Sequence, residues 1–394
     1  MKKISNLTTN IALGAITLLT ASCESQKTQK PRGPATPEAS EIGLNTGNDW
    51  PVWGRDASRN MVSDEKGALS EWDIGEMDEN EVVDIKTTKN IQWVAKVGSQ
   101  SYGNVTVAGG KVFVGTNNES PRDLEKKGDR GIVYCFDEKT GNYQWQLVVP
   151  KLGAGKVSDW EYIGICSSPA VVGNRVYVVT NRCETVCLDI EGMKNRNDGP
   201  FQDEAKYMSE KGKPAPKVED TDADIVWKFD MRDELGIFPH NVTSSSPIVI
   251  DGIVYNATSN GVDWSHTNRP SPLAPNFIGL DAKTGERYWG IDFPKELKTP
   301  VPTFGCVCSP MVDDKLVYMQ TGAGFCKIDA TTRTSIEYTR ITARRFRRVK
   351  GRECGDTTRA QQPLPFFLFD KQCRWRNRFI NRRRIVGHLT ARHI

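Results

Sequence analysis

The chain has 394 residues, 38% of them hydrophobic, with 34 Gly, 21 Pro and 10 Cys. That composition excludes a collagenous or low-complexity fibre and fits a folded, turn-rich protein of two average domains or one large β assembly. The net charge of +4 averages two unlike parts: residues 331–394 hold 17 Lys and Arg against 4 Asp and Glu, whereas the first 330 hold 36 against 45, so the body gives no basis for nucleic acid as a partner.

In chain order, the first element is MKKISNLTTNIALGAITLLTASC, with two lysines, an apolar run from Ile11 to Leu19 and small residues after it. The run is too short for a membrane span and has the layout of a secretory signal. Its end, Leu19-Thr20-Ala21-Ser22-Cys23, resembles the bacterial lipobox. That resemblance implies cleavage before Cys23 and a lipid anchor on it, each buried CH₂ contributing about 0.8 kcal/mol. It also implies the periplasmic face of the envelope, with Glu24 favouring the outer membrane. The alternative is a soluble secreted protein in which Cys23 is incidental. Residues 24–48, with Pro31, Pro34 and Pro37, read as a disordered tether.

Four hairpins follow: NVTVAGGKVFVGT (104–116), SSPAVVGNRVYVVT (167–180), SSPIVIDGIVYNAT (245–258) and SPMVDDKLVYMQT (309–321). Each is a short apolar run, a tight turn and a Val-aromatic or Val-Tyr run. A second pattern interlocks with them. VYCFDEKTGNYQW (133–145) and FIGLDAKTGERYW (277–289) place Gly four residues after Asp and Trp eight after it. Asp137 and Asp281 are expected to accept turn N–H groups, and Gly141 and Gly285 to supply positive φ. Trp145 and Trp289, with Trp93 and Trp227 at similar strand starts, are expected to bury large rings between neighbouring sheets. Two hairpins per period make a four-stranded antiparallel blade, so residues 49–332 are predicted to form a β-propeller with about four recognisable blades in an incomplete ring. The polar stretch 191–224 is predicted to be a surface loop.

The AxDxxTGxxxW turn, preceded by SSPxVxxxxVY, resembles the repeat of the pyrroloquinoline-quinone-like β-propellers, and DWPVWGRDASRN (49–60) resembles the segment that precedes their first blade. The resemblance covers roughly residues 48–332. It implies either a quinoprotein dehydrogenase or an outer-membrane assembly lipoprotein using the same blade without cofactor. A quinoprotein alcohol dehydrogenase would carry two adjacent cysteines, a catalytic Asp and a Ca²⁺ held by Glu and Asn or Asp. This sequence has no Cys-Cys dipeptide and no such set that aligns, so no catalytic residue is assigned. Pyrroloquinoline quinone with Ca²⁺ belongs to the alternative reading only.

The pattern breaks in the fourth copy, where Asp329 is followed by Arg333 and Glu337 in place of Gly and Trp. From 333 to 394 the chain is Arg-rich and unlike anything upstream. We read this as a disordered tail produced by a reading-frame shift near codon 332, the rival being a genuine basic tail for an anionic partner.

Among the cysteines, Cys135, Cys187 and Cys326 fall near one blade position and are expected to be buried packing thiols. Cys166 and Cys308 either pair or fill the inner strands. The spacings at Cys183, Cys187, Cys306 and Cys308 do not make a zinc site, and EDTDAD (219–224) lacks the Gly and Glu of a calcium loop, so it reads as a solvated acidic turn. The segments entering the hairpins nominate a ligand-binding rim: Tyr102, Trp160, Glu161, His240, Asn241 and Phe304, joined by Asp263, Trp264 and His266 from a following loop. The sequence thus points to an exported propeller lipoprotein acting as a binding or assembly scaffold. Its expected partners are the membrane, other envelope proteins, and a small-molecule or carbohydrate ligand. A carbohydrate-binding propeller is the further alternative to the oxidoreductase.

Overall fold

A computed structural model describes residues 49–63, 65–197, 199–298, 304–313, 315–321, 324–330, 334–340 and 388–390. The signal segment with Cys23, the tether at 24–48 and the rest of the 333–394 tail lie outside the described residues. No helix among the described residues is long and apolar enough to cross a membrane.

A short strand, β1 (Val94–Lys96), precedes four sheets of identical strand order. The first contains β2 (Thr106–Ala108), β3 (Lys111–Asn117), β4 (Arg130–Asp137) and β5 (Tyr143–Pro150). The second contains β6 (Ala170–Val172), β7 (Arg175–Val179), β8 (Glu184–Asp189) and β9 (Ile225–Asp230). The third contains β10 (Ile248–Ile250), β11 (Ile253–Ala257), β12 (Phe277–Asp281) and β13 (Arg287–Ile291). The fourth contains β14 (Met311–Asp313), β15 (Leu316–Thr321), β16 (Gly324–Asp329) and β17 (Thr334–Arg340). Every neighbouring pair is antiparallel, and β18 (His388–Thr390) pairs with β1. The outer strand of the fourth sheet therefore lies past the point where the sequence stops resembling its upstream copies.

The Asp–Gly–Trp turn works between sheets as well as within one. Asp137 Oδ1 accepts from Thr140 N at 2.8 Å, and Asp281 Oδ1 accepts from Lys283 N and Thr284 N, both at 2.8 Å. Three of the Trp rings cross to the next sheet. The indole N–H groups of Trp93, Trp145 and Trp227 donate to the carbonyls of Glu138, Ile190 and Ala282 at 2.8, 2.9 and 3.0 Å. Each of those acceptors directly follows a turn Asp. Gly141 and Gly285 have φ of +72° and +75°, and a Cβ on either would lie 2.4 and 2.6 Å from the preceding Trp ring. Glycine is thus required twice over, by backbone and by ring.

A register shift recurs in the third strand of all four sheets, beside the residue paired with the Trp position. Cys135, Cys187 and Gly279 occupy that place opposite Trp145, Trp227 and Trp289. Cys326 does not share it: Lys327 takes the equivalent register, and Cys326 is buried one residue earlier. A small residue is needed only where a Trp lies across the ladder.

The inner strands are tied by serines. Ser168 Oγ accepts from Asn104 N (2.7 Å), Ser246 Oγ from Ser168 N (3.0 Å) and Ser309 Oγ from Ser246 N (2.9 Å). Each bond passes from one sheet to the next. The preceding serine bonds within its own sheet: Ser245 Oγ accepts from Ala257 N at 3.0 Å, and it also donates to Cys308 O at 3.2 Å. Ser245→Ala should cost about 1–3 kcal/mol, because it orphans a buried donor and acceptor. A denaturation midpoint indistinguishable from the parent's would refute this assignment.

The segment before β1 laces the inner strands together. Trp50 bridges Val107, Val171 N donates to Pro51 O at 2.8 Å, and Val312 N donates to Ala57 O at 2.9 Å. Buried Arg59 donates through Nε to Pro310 O (2.9 Å), through Nη2 to Ser246 O and Pro247 O (3.2 and 3.3 Å), and through Nη1 to Trp53 O.

The 191–224 stretch is not simply a surface loop, and its acidic run is a solvated turn only at Glu219, Asp220 and Thr221. Tyr207, Met208 and Ala223 are buried in the core of the first two sheets, and Tyr207 OH donates to Glu184 at 2.7 Å. Asp222 and Asp224 are also buried. Asp222 receives Lys126 Nζ at 2.6 and 2.8 Å. Burial lowers the Lys126 ammonium, but Asp222 and Asp123 outweigh it and carry the group above its ordinary value. Backbone bonds from Gln146 N to Thr221 O and from Ala223 N to Gln146 O, both 2.9 Å, cover the free edge of β5.

Candidate functional site

At the ends of the inner strands lies a cavity of about 450 Å³. It is lined by Trp53, Tyr102, Asn104, Trp160, Ile163, Cys166, Ser168, Asn241, Val242, Ser244, Ser246 and Ser309. Asn104, Ser168, Ser246 and Ser309 are each two residues ahead of an inner strand, so the four sheets contribute one equivalent residue apiece. The three serine hydroxyls are fixed as acceptors by backbone N–H groups, which leaves their own protons to donate.

The loop before β6 presents Trp160 through a buried anchor. Asp159 Oδ2 accepts from Leu152 N (2.9 Å) and Asn181 Nδ2 (3.0 Å), and the carboxylate pairs with Lys151. Lys151 Nζ also donates to Trp160 O at 2.6 Å. Burial raises the Asp159 carboxyl above its usual range, with Lys151 opposing.

Beside the cavity five rings meet. Trp160 and Trp264 are 6.1 Å apart between centroids, Trp264 and His266 6.1 Å, His266 and Phe304 5.5 Å, His240 and Phe304 5.5 Å, and His240 and His266 5.0 Å. Trp264 is 54% exposed, Tyr102 61% and Phe304 41%. The structure therefore gathers Trp160, His240, Trp264, His266 and Phe304 into one cluster and puts Tyr102, Trp160 and Asn241 on the cavity. Glu161 is exposed and belongs to neither group. Asp263 turns back on its own loop, accepting from Ser265 N at 2.9 Å and Asn268 Nδ2 at 3.0 Å. The hydrogen bonds from Ser265 and then Asn268 hold it below the usual carboxylate range, and it acts on His240 only through its charge.

His240 is 1% exposed; its Nδ1 lies 2.6 Å from Val262 O, which makes Nδ1 the protonated nitrogen. Burial pulls the imidazole below its ordinary value and His266 adds to this, against Val262 and Asp263. The unfolded chain therefore binds the proton first. The His240 contribution to stability is complete above about pH 6.5 and is lost as pH falls toward the depressed folded value. His240→Asn keeps a donor for Val262 and does not titrate, so the fall in Tm between pH 8 and pH 5 should shrink in that variant. An unchanged pH profile would contradict the assignment.

Cys166 lines the cavity as a free thiol, pushed by burial to about 12; Cys308 is likewise free, at about 12, and donates to Gln320 O at 3.0 Å. They fill the inner strands rather than pair. Among the described residues, no group of three or more His, Cys, Asp or Glu is placed to hold a metal. Pyrroloquinoline quinone is a planar tricarboxylate, and the cavity lining offers it aromatic walls but neutral polar groups only. The guanidinium of Arg59 is committed to backbone carbonyls. These residues do not fit the cofactor with its calcium ion.

The sequence pointed to the rim aromatics but not to Trp53, Asn104, Ile163, Val242, Ser244 or the serines at 168, 246 and 309. The Ser-Pro step just ahead of the inner strands of the second, third and fourth sheets was the available signal for these serines. Trp53 had none, since its place depends on how the segment 49–63 crosses the sheets.

Residues 52–210 match the family model described as outer membrane protein assembly factor BamB. No curated protein matches the sequence. Among solved structures, the chain is similar to quinohemoprotein alcohol dehydrogenase from Comamonas testosteroni, at 14% identity and a TM-score of 0.44, over 74% of this chain and 41% of that one. It is also similar to quinohemoprotein alcohol dehydrogenase ADHIIG from Pseudomonas putida HK5, at 14% and 0.47, over 77% and 40%. BamB from Moraxella catarrhalis matches at 14% and 0.35, over 61% and 50%. The chain thus spans from two fifths to half the length of these structures. The stretch 52–210 thus matches a pyrroloquinoline-quinone-like repeat model, and two further sheets of the same strand order follow it to residue 340.

Proposed function

We propose that this protein is an exported, lipid-anchored propeller that acts as a binding or assembly scaffold in the cell envelope. The observation that carries the reading is the continuity of the axial cavity with a partly exposed aromatic rim. Rigid sheets hold loops from different blades on one face, the arrangement expected of a recognition surface. The lipobox-like end at Cys23 supports the anchor, and the match to an outer membrane assembly factor supports an envelope role. Residues 1–23 are the signal and 24–48 the tether, and the Arg-rich chain beyond the fourth sheet's outer strand at 334–340 is a tail outside the functional body.

Two measurements test this. Metabolic labelling with a palmitate analogue should mark the parent and not Cys23→Ser; an unlabelled parent would remove the anchor. A photo-crosslinking residue at Trp264 should give a discrete adduct in intact cells, while one at Lys283, on a blade turn, should not. Equal labelling at both would remove the rim as the contact surface. The oxidoreductase alternative predicts dye reduction that needs both pyrroloquinoline quinone and Ca²⁺; with the neutral cavity lining, none is expected.

A further inference from the structure

We propose that the axial cavity and the adjoining rim form one site for the end of a neutral oligosaccharide. This rests on the binding reading above and names its ligand. The walls are aromatic: Trp53, Tyr102 and Trp160 line the cavity, and Trp160 continues outward to Trp264 at 6.1 Å. Flat rings bury the C–H-bearing face of a pyranose without requiring charge.

The polar complement matches hydroxyl groups. Ser168 and Ser246 are 1% and 5% exposed, and their hydroxyls accept from backbone N–H groups while making no donor bond among the described residues. Asn241 adds an amide oxygen that is buried and has no partner among the described residues. Donors and an acceptor thus face one neutral space. Sugar hydroxyls, which both give and take hydrogen bonds, satisfy that combination.

Charge discriminates against the other ligand classes. No Lys, Arg, Asp or Glu lines the cavity. A phosphate, nucleotide or acidic peptide would enter without a counter-charge, at high desolvation cost. Lys156 stacks on Trp160 at 5.4 Å at the rim and is not part of the lining.

The test is titration of the full chain with cellohexaose, maltohexaose and chitohexaose, read by calorimetry and Trp fluorescence at low and high salt. At least one neutral hexasaccharide should saturate the protein with an affinity that salt leaves unchanged. Trp264→Ala, at an exposed position, should weaken binding by about tenfold or more with an unaltered Tm, and Trp160→Ala should do the same or worse. No saturable response to any of the three overturns the proposal, as does binding that both variants retain or that high salt abolishes. A crosslinked polypeptide at Trp264 without any sugar response would leave the scaffold reading standing and sink the carbohydrate one. Neither adduct nor sugar binding would sink both.

Discussion

Arg59→Met is expected to destabilise the protein by about 3–5 kcal/mol, because it leaves several carbonyls without a donor at about 1–3 kcal/mol for each that stays buried. The guanidinium is 7% exposed and donates to carbonyls of the lacing segment, the third sheet and the fourth. Burial pulls it down to about 9, with Asp56 opposing, so it remains cationic at neutral pH. Its planar fork reaches acceptors in several directions at once. Arg59→Lys should recover little, since an ammonium has three donors and no plane. Removal leaves the carbonyls of Trp53, Ser246, Pro247 and Pro310 without this donor, the last three in buried bonds. Urea unfolding gives the measurement. A loss under about 1 kcal/mol for Arg59→Met would mean that the segment 49–63 is peripheral to the fold.

The same residue shows where sequence reading reached its limit. The sheets were legible because their information is local: a hairpin turn, an alternating run, and an Asp followed at fixed distances by Gly and Trp. The lacing was not, because Arg59 and Pro310 are distant in sequence and no spacing links them. The rim aromatics could be nominated from their place ahead of each hairpin, yet which of them meet depended on loop geometry. Asp263 illustrates this: it sits beside His266 in the sequence region but spends its carboxylate on Ser265 and Asn268. The solvated reading of the acidic run failed at Asp222 and Asp224 for a related reason. Polarity predicts solvation only where no buried cation waits, and Lys126 lies far upstream.

Trp227→Ala carries the other large expected effect, about 3–5 kcal/mol, because it empties the space between the second and third sheets. The ring is 5% exposed, and its N–H bond to Ala282 O is lost with it. The partner substitution Gly285→Ala should also be costly, for two separable reasons. A φ of +75° carries a penalty of about 1–2 kcal/mol for any L-residue with a Cβ. The added Cβ, 2.6 Å from the indole, forces an overpacking cost of about 1–3 kcal/mol more. Only the second depends on Trp227. In the double variant Trp227→Ala/Gly285→Ala the steric part vanishes, so the two costs should fall short of additive by about 1–3 kcal/mol. Additive costs would mean that Gly285 serves its turn alone. The fourth copy offers a natural comparison. It carries Arg333 where the glycine belongs, and Trp289, in contrast to the other three indoles, has no acceptor for its N–H among the described residues. The Trp–Gly contact thus adds to the serine and Arg59 bonds that hold one sheet on the next, and those bonds still tie the third sheet to the fourth.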